Sequence, residues 1–347
     1  MITAIDFGCH EIRSAFRSPK DDKIVNLYTE RAEYAVLPAE DRYRQILADK
    51  KIPYAECEQS LVVFGNRAEQ VRWLSRKPCA PLFADGKIPT VDAPARQILS
   101  VLTKAILPPL KPENGSQFCC FSAPGNRSNA GNSEFLSRLI RMHGYIPVEC
   151  SAGHAVTLAT GNETRFSGIT ILIGADSSQV SISRFGRELA SESINVGANW
   201  IDNELAEQFK LRTWDESGEC YPDFSAIREW KHDPKIHLRN GFSEQEKSLS
   251  RLYGVVLTRV ARCLKGLLQS SSALKASKER LTVVCAGGAT QVGGFAAALT
   301  ERFVEQDIAG NMVSVRIAND PVTAVVRGLL IQGELEQRRV SDSSVAA

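Results

Sequence analysis

Between Leu281 and Phe303 the chain reads LTVVCAGGATQVGGFAAALTERF, and its periodicity changes twice within that span. Val283, Val284, Cys285 and Ala286 are apolar without alternation, the pattern of a strand covered on both faces of an α/β sheet. Gly287 and Gly288 end it. Beyond them Val292, Phe295, Ala296 and Leu299 recur at three- and four-residue intervals, which predicts a helix that buries this stripe. A glycine turn between strand and helix lets main chain approach a ligand where a Cβ would collide, and it leaves the first N–H groups of the helix open to an anion or a nucleotide. A Gly-Gly after a strand also serves as a tight structural connection, so the stretch constrains fold class before it constrains function.

The 347 residues, 43% hydrophobic and 24% charged, can bury a full core and predict two domains or one bilobed body. A net charge of +2, with no basic run and no aromatics interleaved with Lys or Arg, argues against a nucleic-acid surface. No run of eighteen apolar residues is present to make an integral membrane segment. Met1–Ile5 leads straight into a strand-like segment without a basic n-region, so the expectation is a soluble, cytoplasmic protein. The nine cysteines are odd in number and scattered, and Cys119, Cys120 and Cys285 fall inside strand-like runs, so reduced thiols are expected. No metal-ligand spacing is present.

Taken in order, Ile2–Phe7 alternates weakly and ends at Asp6-Phe7-Gly8, and Ile12, Ala15 and Phe16 predict a second strand returning beside it. A carboxylate at the end of a buried strand, followed at once by a glycine turn, can present charge to a metal–phosphate group or simply cap the turn. Residues 17–58 read as polar and irregular. A strand follows over Leu61–Phe64, a helix over Val91–Leu107, a strand over Gln117–Ser122, a helix over Asn132–His143, a strand over Ile146–Val148 and a small-residue helix over Ala152–Gly161. Gly168–Gly186 then repeats the N-terminal hairpin design, which predicts a duplicated fold with ligand between its halves. Helices are expected over Ala198–Lys210, from Ser243 to about Leu268 and over Val322–Gln332, with a strand over Val313–Ile317. Residues 212–243 read as an irregular aromatic excursion, and residues 333–347 as a disordered tail.

With these pieces placed, the chain resembles the actin-like ATPases, and most closely the bacterial MreB and MamK filament proteins. The resemblance is carried by five stretches in order: Ile5–Cys9, Ala152–Gly161, Leu172–Val180, Ala286–Phe295 and Asp320–Gly328. It implies a duplicated actin-like (ribonuclease H-like) α/β fold with two lobes around a nucleotide cleft, lobe I over 1–152 and lobe II over 153–332. It also implies ATP with Mg²⁺ as cofactors, held by Asp6, Gly8, Cys9, Gly174, Ser177, Ser178, Gly287, Gly288 and Ala289, with Asp6 as the metal carboxylate. A homopolymeric filament is the implied partner.

The departures from the family pattern fall on its chemistry. Cys9 and Ile12 stand where hydroxyl residues are usual, and a thiol is a weak donor. Leu172 stands at the second hairpin's leading Asp, Asp176 at one of its turn glycines, and Ala152 at the Glu or Gln that orients the attacking water. His154 and Gln179 are the candidates to take over that last role. The resulting expectation is a cytoskeletal or scaffold protein that binds ATP and hydrolyses it weakly or not at all. A competent ATPase with rearranged catalysis, a non-filamentous scaffold and a small-molecule kinase are the alternatives.

Overall fold

The computed structural model describes residues 2–17, 24–75, 77–89, 92–110, 117–125, 130–215, 217–231, 233–239, 241–270 and 279–345. In the first half the elements are β1 (Thr3–Phe7), β2 (Glu11–Arg17), β3 (Val25–Arg31), β4 (Glu33–Pro38), α1 (Asp41–Asp49), β5 (Ala55–Cys57), β6 (Ser60–Phe64), α2 (Asn66–Ser75) and β7 (Ala80–Pro81), followed by α3 (Ala93–Ile106), β8 (Phe118–Ser122), α4 (Ala130–Met142) and β9 (Ile146–Glu149). The second half holds α5 (Ala152–Thr160), β10 (Gly168–Ile173), β11 (Ser178–Arg184), β12 (Arg187–Ile194), α6 (Ala198–Gln208), β13 (Arg212–Trp214), β14 (Cys220–Pro222), α7 (Phe224–Lys231) and α8 (Glu244–Ser270). It ends with β15 (Leu281–Ala286), α9 (Phe295–Glu305), β16 (Met312–Ile317) and α10 (Ala324–Val345).

Two five-stranded sheets carry one plan twice, in the orders β3-β2-β1-β8-β9 and β12-β11-β10-β15-β16. In each, an antiparallel meander of three strands is extended by two parallel ones. Alternation along the strands divides their side chains between cores. Ile5, Cys119 and Phe121 enter the first lobe's outer core with α3 and α4, and Ile171, Val283 and Cys285 enter the second lobe's with α8 and α9. Ala4, Cys120, Val284 and Ala286 face the other way, into a shared core with α5 and α10. The unbroken apolar run at 283–286 is therefore buried on both sides, as expected, and the neighbours Cys119 and Cys120 occupy different cores.

Three expectations are corrected. Residues 17–58 hold β3, β4, α1 and β5, and a further sheet of order β5-β6-β4-β7 packs with α1 and α2 around its own core of Leu37, Leu47, Leu61, Val63 and Val71. These elements are short and carry many exposed polar positions, so period alone does not reveal them. The 212–243 excursion contains the β13–β14 ribbon and α7. The tail expected to be disordered is helical as far as Val345, because α10 continues past Gln332 and Glu334 accepts a hydrogen bond from Arg17 at 2.6 Å. Val91, Ala346 and Ala347 lie outside the described residues.

Candidate functional site

A cavity of about 750 Å³ opens between the two sheets, lined by both hairpin turns, the start of α5 and the turn after β15. Gly8, Gly174 and Gly287 all line it. The sharp turns need these glycines: a Cβ on Gly8 would lie 2.6 Å from the Glu11 carbonyl oxygen, and one on Gly287 would lie 2.1 Å from that of Ile173. Gly287 also has φ +96°, a region L side chains rarely adopt. Its N–H donates to the Pro321 carbonyl at 2.8 Å, while Thr290 N–H and Oγ1 donate to its own carbonyl. Gly288 differs, since a Cβ there meets nothing within 4 Å and points to open space. Behind the turn, the buried Tyr253 hydroxyl donates to the Ala289 carbonyl at 3.0 Å.

The helix expected immediately after these glycines starts later. Residues 288–291 form a 3₁₀ turn, and α9 begins at Phe295 after Gly294, whose φ is +79° and which sits against the His237 ring. A second glycine pair, Gly293-Gly294, makes the break, so the amides near the cleft belong to the 3₁₀ turn.

Register explains the charge pattern of the hairpins. On β1, Asp6 pairs with Arg13 on one side and Ser122 on the other. Ser122 Oγ donates to Asp6 at 2.7 Å, and the Arg13 guanidinium lies 3.9 Å away while also pairing with Glu11. Burial, the largest influence, raises the Asp6 pKa against the lowering effects of Arg13 and Ser122. The equivalent position on β10 is Leu172, flanked by Gln179 and Ala286. A carboxylate, a guanidinium and a hydroxyl on the first lobe thus correspond to a leucine, an amide and a methyl on the second.

For Mg²⁺ the fit is poor. The ion takes one or two carboxylates beside phosphate oxygens and water, and of the two equivalent strand-end positions only Asp6 bears a carboxylate, already engaged by Ser122 and Arg13. For the sugar-phosphate chain the fit is better, because two glycine turns offer main chain at close range. A separate group of metal-type donors, Glu33, Glu69 and Cys79, gathers beside the cleft, with its carboxylates paired to Arg31 and Arg72.

Of the nominated residues, Asp6, Gly8, Cys9, Gly174, Ser177, Gln179, Gly287, Gly288, Ala289 and Ala152 line the cavity. Ser178 does not, because strand alternation turns it inward, where its hydroxyl donates to the Val196 carbonyl at 2.7 Å. His154 does not either. Two residues along α5 from Ala152 it points away from the cleft, its ring 3.5 Å from Ser183 Oγ, and burial lowers its pKa. Gln179 lines the cleft with its carbonyl end committed: Oε1 accepts from Gly153 N–H at 2.9 Å and so helps cap α5, alongside Ser151 Oγ, which accepts from His154 N–H. Cys9 is a half-buried thiol whose pKa desolvation pushes up, with nearby Asp176 adding to the shift.

Sequence reading missed the polar floor of the cleft. Asp202 on α6 is buried and paired with Arg228 at 3.3 Å and with Lys231, both on α7. Arg228 also donates to Asn199 at 3.1 Å. The signal was the spacing of Arg228 and Lys231, one helical turn apart, within the stretch read as irregular.

Two lobes built on one repeated sheet plan, with two glycine hairpins facing each other across a cleft, define the class: the chain has the two-lobed actin-like fold. It belongs to the Volactin family, which matches residues 1–333. No curated protein matches it by sequence. Among solved structures it is similar to the MamK double helical filament, at 15% identity and TM-score 0.70 over 96% of this chain and 98% of that one. It is equally similar to MreB5 of Spiroplasma citri bound to AMPPNP, at 14% identity and TM-score 0.70 over 99% and 98%. The ethanolamine utilization protein EutJ from Carboxydothermus hydrogenoformans is more distant, at 15% identity and TM-score 0.51 over 95% and 88%.

Proposed function

We propose that this protein is an actin-like cytoskeletal or scaffold protein of the cytoplasm that holds adenine nucleotide in its interlobe cleft and hydrolyses ATP weakly or not at all. The observation that carries this reading is the pairing of Leu172 with Ala152 on the cleft wall. Leu172 removes a metal carboxylate at the position equivalent to Asp6, and Ala152 offers no group to orient a water. Loss of such a group costs about 10² to 10⁴ in rate. The nucleotide part is supported by the glycine turns and by the AMPPNP carried by MreB5 in its structure. The homopolymer part is supported by likeness to MamK, whose structure is that of a double helical filament.

Sedimentation with and without ATP, read together with phosphate release, tests the proposal. The expected result is sedimentable polymer with phosphate release near background. Rapid phosphate release would overturn the weak-hydrolysis reading and favour rearranged catalysis. Gln179 is the residue to test in that case, since it lines the cleft and its Nε2 has no hydrogen-bond partner among the described residues. Nucleotide binding without sedimentation would mark a non-filamentous scaffold, and phosphate transfer to a small hydroxylated acceptor a kinase.

A further inference from the structure

The four-residue turns of the two hairpins correspond position by position, and Asp176 stands where the first hairpin has His10. Asp176 bridges the lobes. One carboxylate oxygen accepts from Asn199 Nδ2 on the second lobe at 2.7 Å, and the other accepts from the Gly86 N–H on the first at 3.3 Å. The Cys9 thiol of the first hairpin lies near enough for this carboxylate to help raise its pKa. An anion is therefore already held between the two turns, where a polyphosphate would have to lie.

The surrounding charges reinforce this. Five carboxylates line the cavity against three cations, and every one of those cations is engaged: Arg13 with Asp6 and Glu11, Arg228 and Lys231 with Asp202. A phosphate reaching Asp176 would meet like charge with no free cation among the described lining residues to offset it.

We propose that Asp176 is a resident anion that takes the place of a terminal phosphate, bridging the lobes across the cleft and restricting it to adenine nucleotides of two phosphates or fewer. The inference rests on the nucleotide reading above and specifies its ligand. A group that closes the lobes by itself also weakens the dependence of closure on nucleotide, because a ligand shifts an equilibrium only by its differential affinity for the two states.

Calorimetric titration of the full chain with ADP and with ATP, each with Mg²⁺, tests this in the wild type, Asp176→Asn and Asp176→Gly. Hydrogen exchange at the Gly86 amide without nucleotide is the second readout. The wild type should favour ADP over ATP at least tenfold, about 1.4 kcal/mol. Both variants should tighten ATP at least tenfold and leave ADP within about threefold, and Gly86 should exchange at least tenfold faster in Asp176→Gly. Equal affinities in the wild type, or ATP affinity unmoved in both variants, overturn the restriction. If neither nucleotide binds any of the three proteins, the nucleotide reading itself fails and the restriction with it. Exchange at Gly86 then still decides the bridge: faster exchange sustains it, and unchanged exchange overturns it.

Discussion

Gly287 and Gly288 are adjacent in the chain and answer differently to a side chain. At Gly287 a Cβ meets backbone at 2.1 Å and the φ is positive, so substitution strains the fold, whereas at Gly288 it enters the open cleft. Gly288→Val should therefore leave the melting temperature within about 2 °C of wild type, as a substitution without new protein contacts does, and weaken adenine nucleotide at least tenfold in a calorimetric titration. Unchanged affinity would remove this turn from the binding site. The second residue-scale prediction concerns turnover. In an Asp176→Gly background, where a terminal phosphate has room, Ala152→Glu with Leu172→Asp should raise phosphate release about tenfold or more, while each single change there does little, because a water-orienting carboxylate and a metal carboxylate serve one step. Equal release with and without the two changes in that background would show that the lost chemistry lies elsewhere. At this scale the glycine turns were legible in the sequence because glycine has few other reasons to follow a buried strand. Asp202, Arg228 and Lys231 were not, since they become one cluster only when α6 and α7 pack.

Among the elements, α5 and α10 cross between the sheets at a distance only a missing side chain permits: a Cβ on Gly328 would lie 1.7 Å from the Ala155 carbonyl oxygen. Gly328→Ala should force the helices apart and destabilise the protein by at least about 3 kcal/mol, read as a lowered midpoint in urea. A cost below about 1 kcal/mol would mean that the crossing is looser than the geometry requires. The run AGHAVTLATG predicted a helix of this packing type, because small residues in series have little use except close approach. Long amphipathic helices such as α8 and the two-faced strands were equally legible, having strong and single periodicities. Of the sheet of β4 to β7 only β6 was, as the strand expected over Leu61–Phe64. The other three strands are two to six residues long, and no residue of β3 beside them is buried, so neither period nor composition separated them from loop.

For the molecule as a whole, the lobes meet over a set of charges that belongs to neither alone. His10 sits among Arg13 and Arg31 of the first lobe and Arg228 and Lys231 of the second, and burial followed by these cations lowers its pKa from 6.5 to about 3. The unfolded chain takes a proton on this residue near pH 6.5 and the folded one only near 3, so the contribution is fully present above 6.5 and is lost as pH falls toward 3. Between pH 7 and 5 the loss from this residue should be about 2 kcal/mol, and His10→Gln should abolish that part of the pH dependence in denaturant melts. A variant with the wild-type pH profile would remove His10 as its source. Burial raises the pKa of Asp6 and of Glu33, which acts in the opposite sense at lower pH. The contact of Arg17 with Glu334 joins residues 317 positions apart, and α10 covers one face of the first sheet through Val326, Leu329 and Leu330 against Ala4, Ala15 and Cys120. During synthesis at 5 to 20 residues per second that face waits on the order of half a minute for its cover. The first lobe emerges first from the ribosome and is finished last, with one apolar face of its sheet bare on the nascent chain until α10 is made.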